Sequence, residues 1–249
     1  MYEIIKKSRK LNLSIDTQID MFDKMVTPIL LYGCELWGFE NVDIIERLHL
    51  RFCKLVLNLK KSTPNFMIYG ELARYPLYIN IRLRMIDYWI GILNGKETKF
   101  NHILYNFTYM LSTDVDNVFQ FKWINCIQNI LQNCGLNFIW LSQRVENKKW
   151  LLSVVKQTLK DQFQQNWIAN CNASSKGLFY NLFTNYHFSF RKYLDLDLPR
   201  NNTEILARFR TSNHRLPIET GRWTNIPRNQ RTCNLCGDGL GDEYHYIMI

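Results

Sequence analysis

The sequence contains no Asp-Asp dipeptide, and with it lacks the paired-aspartate device that holds two metal ions for nucleotidyl transfer. Its nearest carboxylate pairs, Asp114 with Asp116 and Asp195 with Asp197, stand in turn-like or interrupted settings and read as caps and loops. There is no G-x-x-x-x-G-K-[ST] to cradle phosphate, no H-E-x-x-H and no G-x-S-x-G. Cys34, between Gly33 and Glu35, has no histidine implied nearby, so a thiol nucleophile is unsupported and no catalytic residue is expected. No stretch reaches the roughly 18 apolar residues of a membrane span. Met1 leads into YEIIKKSRK without the apolar core of a signal peptide. Seven cysteines, an odd and mostly scattered set, suit a reducing compartment, so the expectation is an intracellular protein of nucleus or cytoplasm that is not secreted. Sustained period-two alternation is missing too, which leaves an all-α chain with at most a small hairpin.

What is present fits that class. The 249 residues are 47% hydrophobic and 14% aromatic, enough for one or two packed domains, and the net charge of +9 favours an anionic partner, nucleic acid before membrane. Apolar residues at helical spacing predict helices over residues 14–37, with Ser14 as cap and Pro28 as a kink or break, and over 42–59, with Asp43 and Glu46 at capping-box spacing. Thr63 as cap and Pro64 at the first position predict a short helix to Leu72. Further helices are expected over 76–93, 100–111, 118–133 and 148–168. His49 and Cys53, four apart, could hold a metal but read better as core and rim. Tyr32, Trp37 and Phe39, at helical spacing, likewise read as core rather than base-stacking residues. The basic lead-in Lys6, Lys7, Arg9 and Lys10 reads as a solvated end. Loop composition at 112–117 and 170–177 predicts three segments: a helical bundle over 1–95, a helical connector without legible chemistry over 96–198, and a terminal module over 199–249.

The terminal module carries the chemistry. Residues 200–231 hold seven arginines (Arg200, Arg208, Arg210, Arg215, Arg222, Arg228 and Arg231) against Glu204 and Glu219, with no lysine at all. Guanidinium groups suit bidentate phosphate contact and stacking on bases, and His214 and Trp223 add planar partners. Lys60 and Lys61, exposed at a helix junction, suit a backbone contact. A solvated basic face is the plain alternative. Directly after the arginines come Cys233-x2-Cys236 and then His245, the spacing of a small zinc module. A structural zinc site takes four ligands, so these three are either most of a site or a turn with two buried thiols. Asp242 and Glu243 stand too close to His245 in sequence to be first choices for the fourth.

LARFRTSNHRLPIETGRW, then IPRNQRTCNLC and GDEYHYI, resembles the C-terminal segment of the polyprotein of non-LTR (LINE-type) retrotransposons, after the reverse transcriptase domain. VTPILLYGCELWGF with IERLHLRFCKLVLNLKKSTPNFMIYGEL resembles the thumb region of the same proteins, so the likeness runs from about Leu11 to the end. It implies thumb helices, a helical connector and a Cys-Cys-His-Cys zinc knuckle whose last cysteine would fall just past Ile249. The expected role is to hold template RNA or target DNA during target-primed reverse transcription. The magnesium-dependent active site would belong to an upstream polymerase domain of the same polyprotein, absent from this chain. Two other readings stay open: a stand-alone nucleic-acid-binding helical protein derived from such an element, and a helical scaffold that binds acidic protein.

Overall fold

The computed structural model describes residues 2–113, 121–196 and 198–248, and only the backbone of Gly177 and Leu178. Its architecture is all-α, a multi-helix assembly ending in a small irregular Cys/His segment. Among the described residues the single β pairing is an antiparallel bridge between Thr232 and Leu240.

Local sequence chemistry explains several helix ends. Ser14 accepts the Thr17 N–H at 3.2 Å and starts the helix Ile15–Met25. Pro28 has no N–H, and the chain breaks there into two single-turn pieces, Thr27–Leu30 and Cys34–Trp37. The helix Val42–Val56 is shorter than expected because Asn58 adopts φ 52°. Its Glu46 carboxylate bonds both along the helix and across to another. One carboxylate oxygen meets His49 Nδ1 at 2.8 Å, and the other accepts the Leu77 N–H at 2.7 Å, at the start of the helix Leu77–Leu93. Pro64, not Thr63, is the N-cap of Asn65–Leu72; Thr63 is buried and accepts a hydrogen bond from Asn213. The helix Lys148–Ala173 runs through the first half of the expected loop at 170–177. The expected start at Val118 and the pair Asp114 and Asp116 lie outside the described residues, as does Asp197; the helix is observed as Lys122–Asn133. The basic lead-in is a helix, Tyr2–Lys10.

The chain divides into two compact units, and neither is continuous in sequence, unlike the three consecutive segments expected. The first comprises Met1–Val26, Leu50–Arg74 and Gln165–Ile249; the second comprises Thr27–His49 and Tyr75–Gln164. The second unit is built around Leu77–Leu93, whose Ile79, Ile81, Met85, Ile86, Trp89 and Ile90 are all buried. Trp89 Nε1 donates to the Tyr105 hydroxyl at 2.8 Å, which donates to Gln143 at 2.6 Å, so each polar group buried there has a partner. His49 and Cys53 are buried, in keeping with a core role, whereas Tyr32 is 85% exposed and is not core. It lies in the turn between Leu30 and Cys34, where Gly33, at φ 67°, interrupts the helical periodicity that predicted its burial.

The first unit is centred on Asn65–Leu72, in which every residue from Met67 to Leu72 is buried. Backbone carbonyls of this helix accept from Trp167 Nε1, at Phe66 O 2.8 Å away, and from the Tyr180 hydroxyl, at Met67 O 3.3 Å away. At its end Glu71, fully buried, receives two parallel hydrogen bonds from Arg210 at 2.9 and 3.0 Å and one from the Tyr193 hydroxyl at 2.6 Å. Arg191 lies 3.5 Å from the same carboxylate. A carboxylate can be held this deep only with such partners, because desolvation of an unpaired charge costs several kcal/mol (about 3–5 when one partner of a buried pair is removed).

Candidate functional site

Cys233, Cys236 and His245 converge: their ligand atoms all lie within 4.8 Å of one another, and Cys236 Sγ is 3.2 Å from His245 Nε2. The turn that brings them together is local. The Cys233 N–H donates to Gly239 O, the Gly237 N–H returns to Cys233 O, and the Thr232–Leu240 bridge closes the loop. Gly239, at φ +71°, takes a left-handed conformation, and a Cβ there would stand 3.3 Å from the His245 ring. Asp242 then caps the terminal helix Glu243–Met248 by accepting the His245 N–H at 2.9 Å, which sets the imidazole opposite the thiols. Hydrogen bonds from the backbone N–H of Cys236 first, then from that of Leu235 and the Tyr246 hydroxyl, favour the Cys233 thiolate and hold the thiol down to about 6, against burial, which favours the neutral form. Donors of this kind, soft sulfur with imidazole, can hold a metal ion. Ligands on one tetrahedral zinc stand about 3.6 Å apart, close to the spacing seen here. No fourth ligand joins the group among the described residues. Asp242 is committed to its cap, and the Glu243 carboxylate faces His214 at 2.7 Å and Ser212 at 3.1 Å.

The arginine segment divides into groups with different duties. Arg210 is spent on Glu71. Arg200 binds Glu204 at 2.9 Å, and Arg222 binds Glu219 at 2.9 Å. Arg208 donates to the Asn58 carbonyl at 3.1 Å and lies 3.9 Å from Glu204. Arg231 donates to the carbonyls of Ile226 and Ile218, lying across Gly221, where a Cβ would collide with it at 2.7 Å. These contacts depart from the expectation of a continuous row of guanidiniums presented to phosphate. The acids concerned were distant in sequence or counted as a small minority, and folding brought them to the arginines. His214 is likewise structural: its Nδ1 accepts the Leu216 N–H, which leaves Nε2 as the donor to Glu243. Burial pushes the Glu243 carboxyl up, but hydrogen bonds from His214, its own backbone and Ser212 outweigh this and leave it below its ordinary value.

Four of the expected contact residues remain outward-facing cations. Arg215 and Arg228 are exposed, and their side chains make no hydrogen bond or ion pair among the described residues. Lys61 is exposed, and Lys60 lies over the ring of Trp223 at 4.8 Å, with Trp223 itself 61% exposed. Lys60, Arg208 and Arg215 line one cleft of about 550 Å³ with Phe209 and Ile205. Sequence reasoning missed Glu71, which engages Arg210, and Tyr193 and Arg191, which share that carboxylate with it. The available signal was a lone carboxylate in an otherwise apolar helix, NFMIYGEL. The unit that carries the Cys/His group holds 20 Lys and Arg against 12 Asp and Glu, a net +8, while the other holds 11 against 10, a net +1. No helix among the described residues is long and apolar enough to cross a membrane. No family model matches the chain, and no curated protein and no solved structure matches it.

Proposed function

We propose that the unit carrying Cys233, Cys236 and His245 is a nucleic-acid-binding module, as in the C-terminal region of the retrotransposon reverse transcriptases that the sequence resembles. Its work is to hold RNA or DNA rather than to make bonds. The observation that carries this reading is the charge division: +8 of the net +9 falls in that unit. Phosphate neutralisation supplies affinity without sequence preference, and exposed Lys60, Lys61, Arg215 and Arg228 are the groups that supply it. Arg210, Arg222, Arg231 and His214 contribute by holding those cations and the Cys/His turn in place. Zinc is the metal proposed for the three ligands, since two thiolates and an imidazole match its preference. It would tie the turn to the terminal helix and so stiffen the surface beside Arg228.

Two measurements test the reading. Replacing Lys60, Lys61, Arg215 and Arg228 together by Gln should flatten the dependence of log affinity on log salt for a single-stranded probe by about 3, at roughly 0.7 per phosphate contact. An unchanged slope with unchanged affinity at low salt would sink the proposal. Zinc titration followed by thiol protection should show one-to-one uptake that Cys236→Ser weakens at least about tenfold, the low end for loss of a metal-site group. Uptake indifferent to that change removes the metal from the proposal.

The scaffold reading has one observation of its own. On the helix Phe100–Thr113, Phe100 is 77% exposed, and Ile103, Phe107 and Met110 follow it at helical spacing, also exposed. Such a stripe suits a protein partner. If Phe107→Glu leaves the chain's self-association and solubility unaltered, that reading loses its support.

A further inference from the structure

We infer that the cleft beside Lys60 seats an unstacked base of a single-stranded nucleic acid, with the neighbouring phosphates on its cationic rim. The inference rests on the nucleic-acid reading above and names the strand form that this surface takes. The cleft, about 550 Å³, has an apolar floor of Leu59, Ile205 and Phe209 and a rim of Lys60, Arg208 and Arg215, and no carboxylate lines it.

Phosphate contact alone does not call for that floor. A duplex presents its charges along a convex rod with the bases stacked inside, and it is gripped by cations spread over an open surface. An apolar floor gains from burial of an apolar face, and a nucleobase freed from its stack has two. The cleft lies within the roughly 300–1,000 Å³ range of sites that enclose small ligands, ample for one nucleoside. Ile205 supports the assignment. It is 61% exposed on the helix Arg200–Arg210, whose Thr203 and Ala207 are buried, so core packing does not account for it. Just outside the rim, Trp223 offers a ring partly free of neighbours on which the next base can stack, with Lys60 held against it.

The same geometry sets the selectivity. Asn58 Nδ2 is committed to Glu204, Asn213 Nδ2 to Thr63 at 3.2 Å, and both ring nitrogens of His214 to Glu243 and Leu216. Apart from the rim cations, the side-chain donors within the cleft thus each already hold a partner, the two Asn amides keeping one N–H apiece, and the edge of the base is read weakly. The cleft takes any base on a flexible strand and refuses a rigid duplex.

The experiment uses the full chain and fluorescence anisotropy with three labelled probes of about 12 nucleotides, a length within the range of single-strand binding sites. They are oligo-uridine RNA, the same backbone without bases, and a blunt duplex. The base-bearing strand should bind roughly tenfold more tightly than either other probe, the scale of one base stacking on a side chain. Ile205→Glu, at an exposed position and verified by its thermal melt, should abolish that gap. If the three probes bind alike, while Arg215→Gln weakens all of them in a salt-dependent way, the base seat is wrong and the nucleic-acid reading stands. A gap that survives Ile205→Glu also overturns the seat. Binding of no probe at about 50 mM salt, where phosphate contacts are strong, overturns both.

Discussion

The two units hold themselves together by different means. In the unit around Leu77–Leu93, aromatic and aliphatic side chains interlock, as with Trp89, Trp140, Tyr105 and Tyr109, and polar groups among them are paired in short links such as Trp89 to Tyr105 to Gln143. In the unit around Asn65–Leu72, guanidiniums and carboxylates distant in sequence are brought face to face, as Arg210 is with Glu71, 139 residues away. The second arrangement leaves that unit with a surplus of cations after its acids are satisfied. A positive charge in this chain therefore has one of two fates, and partner geometry decides which. Arg210 became part of the interior, while Arg215, five residues on, faces outward.

The sharpest way to break this comparison is at Glu71. Glu71→Gln should destabilise the chain by roughly 3–5 kcal/mol, because Arg210 and Arg191 lose the carboxylate that compensates their burial. Urea unfolding followed by tryptophan fluorescence measures it, and a loss below about 1 kcal/mol, the net worth of one ordinary hydrogen bond, would mean that the ionic hub is not what supports this unit. In the apolar unit, Tyr105→Phe removes the hydroxyl between Trp89 and Gln143 and should cost less, about 1–2 kcal/mol by the same assay. A loss equal to that at Glu71 would erase the distinction. The smallest expected effect is acid sensitivity at Glu204. Burial opposes its ionisation, but hydrogen bonds from Asn58 and Arg200 outweigh burial and hold the carboxyl below its ordinary 4.5. The stability it contributes is therefore complete above that ordinary value and declines as pH falls through the lowered folded one. Melts at a series of pH values should show Glu204→Gln flattening the acid limb by less than about 1 kcal/mol, and an unaltered limb would place the sensitivity elsewhere.

The helices were largely legible because their causes are local: Ser14 capping, Pro28 breaking and the apolar spacing of Ile79, Ile86 and Ile90 all act within a few residues. The Cys/His turn was legible for the same reason, since Cys233, Cys236 and His245 lie within one short segment that closes on itself. The division into units was not legible, because it depends on Gln165–Ile249 packing with Met1–Val26 and Leu50–Arg74 across most of the chain. Nor was the fate of each arginine, as nothing in the run from Arg200 to Arg231 announces that Glu71 waits in another segment. Tyr32 marks the same limit on a smaller scale, where helical spacing predicted burial and the turn before Cys34 leaves the ring outside.

By itself, then, the sequence determined the helical class, the absence of the catalytic motifs sought and the candidate metal ligands, each set by interactions between near neighbours. Which cations meet solvent, and that Lys60 and Arg215 join Arg208 around an apolar cleft, was decided only by tertiary structure. The cost of burying a charge depends on what the fold places beside it, and those partners come from remote parts of the chain.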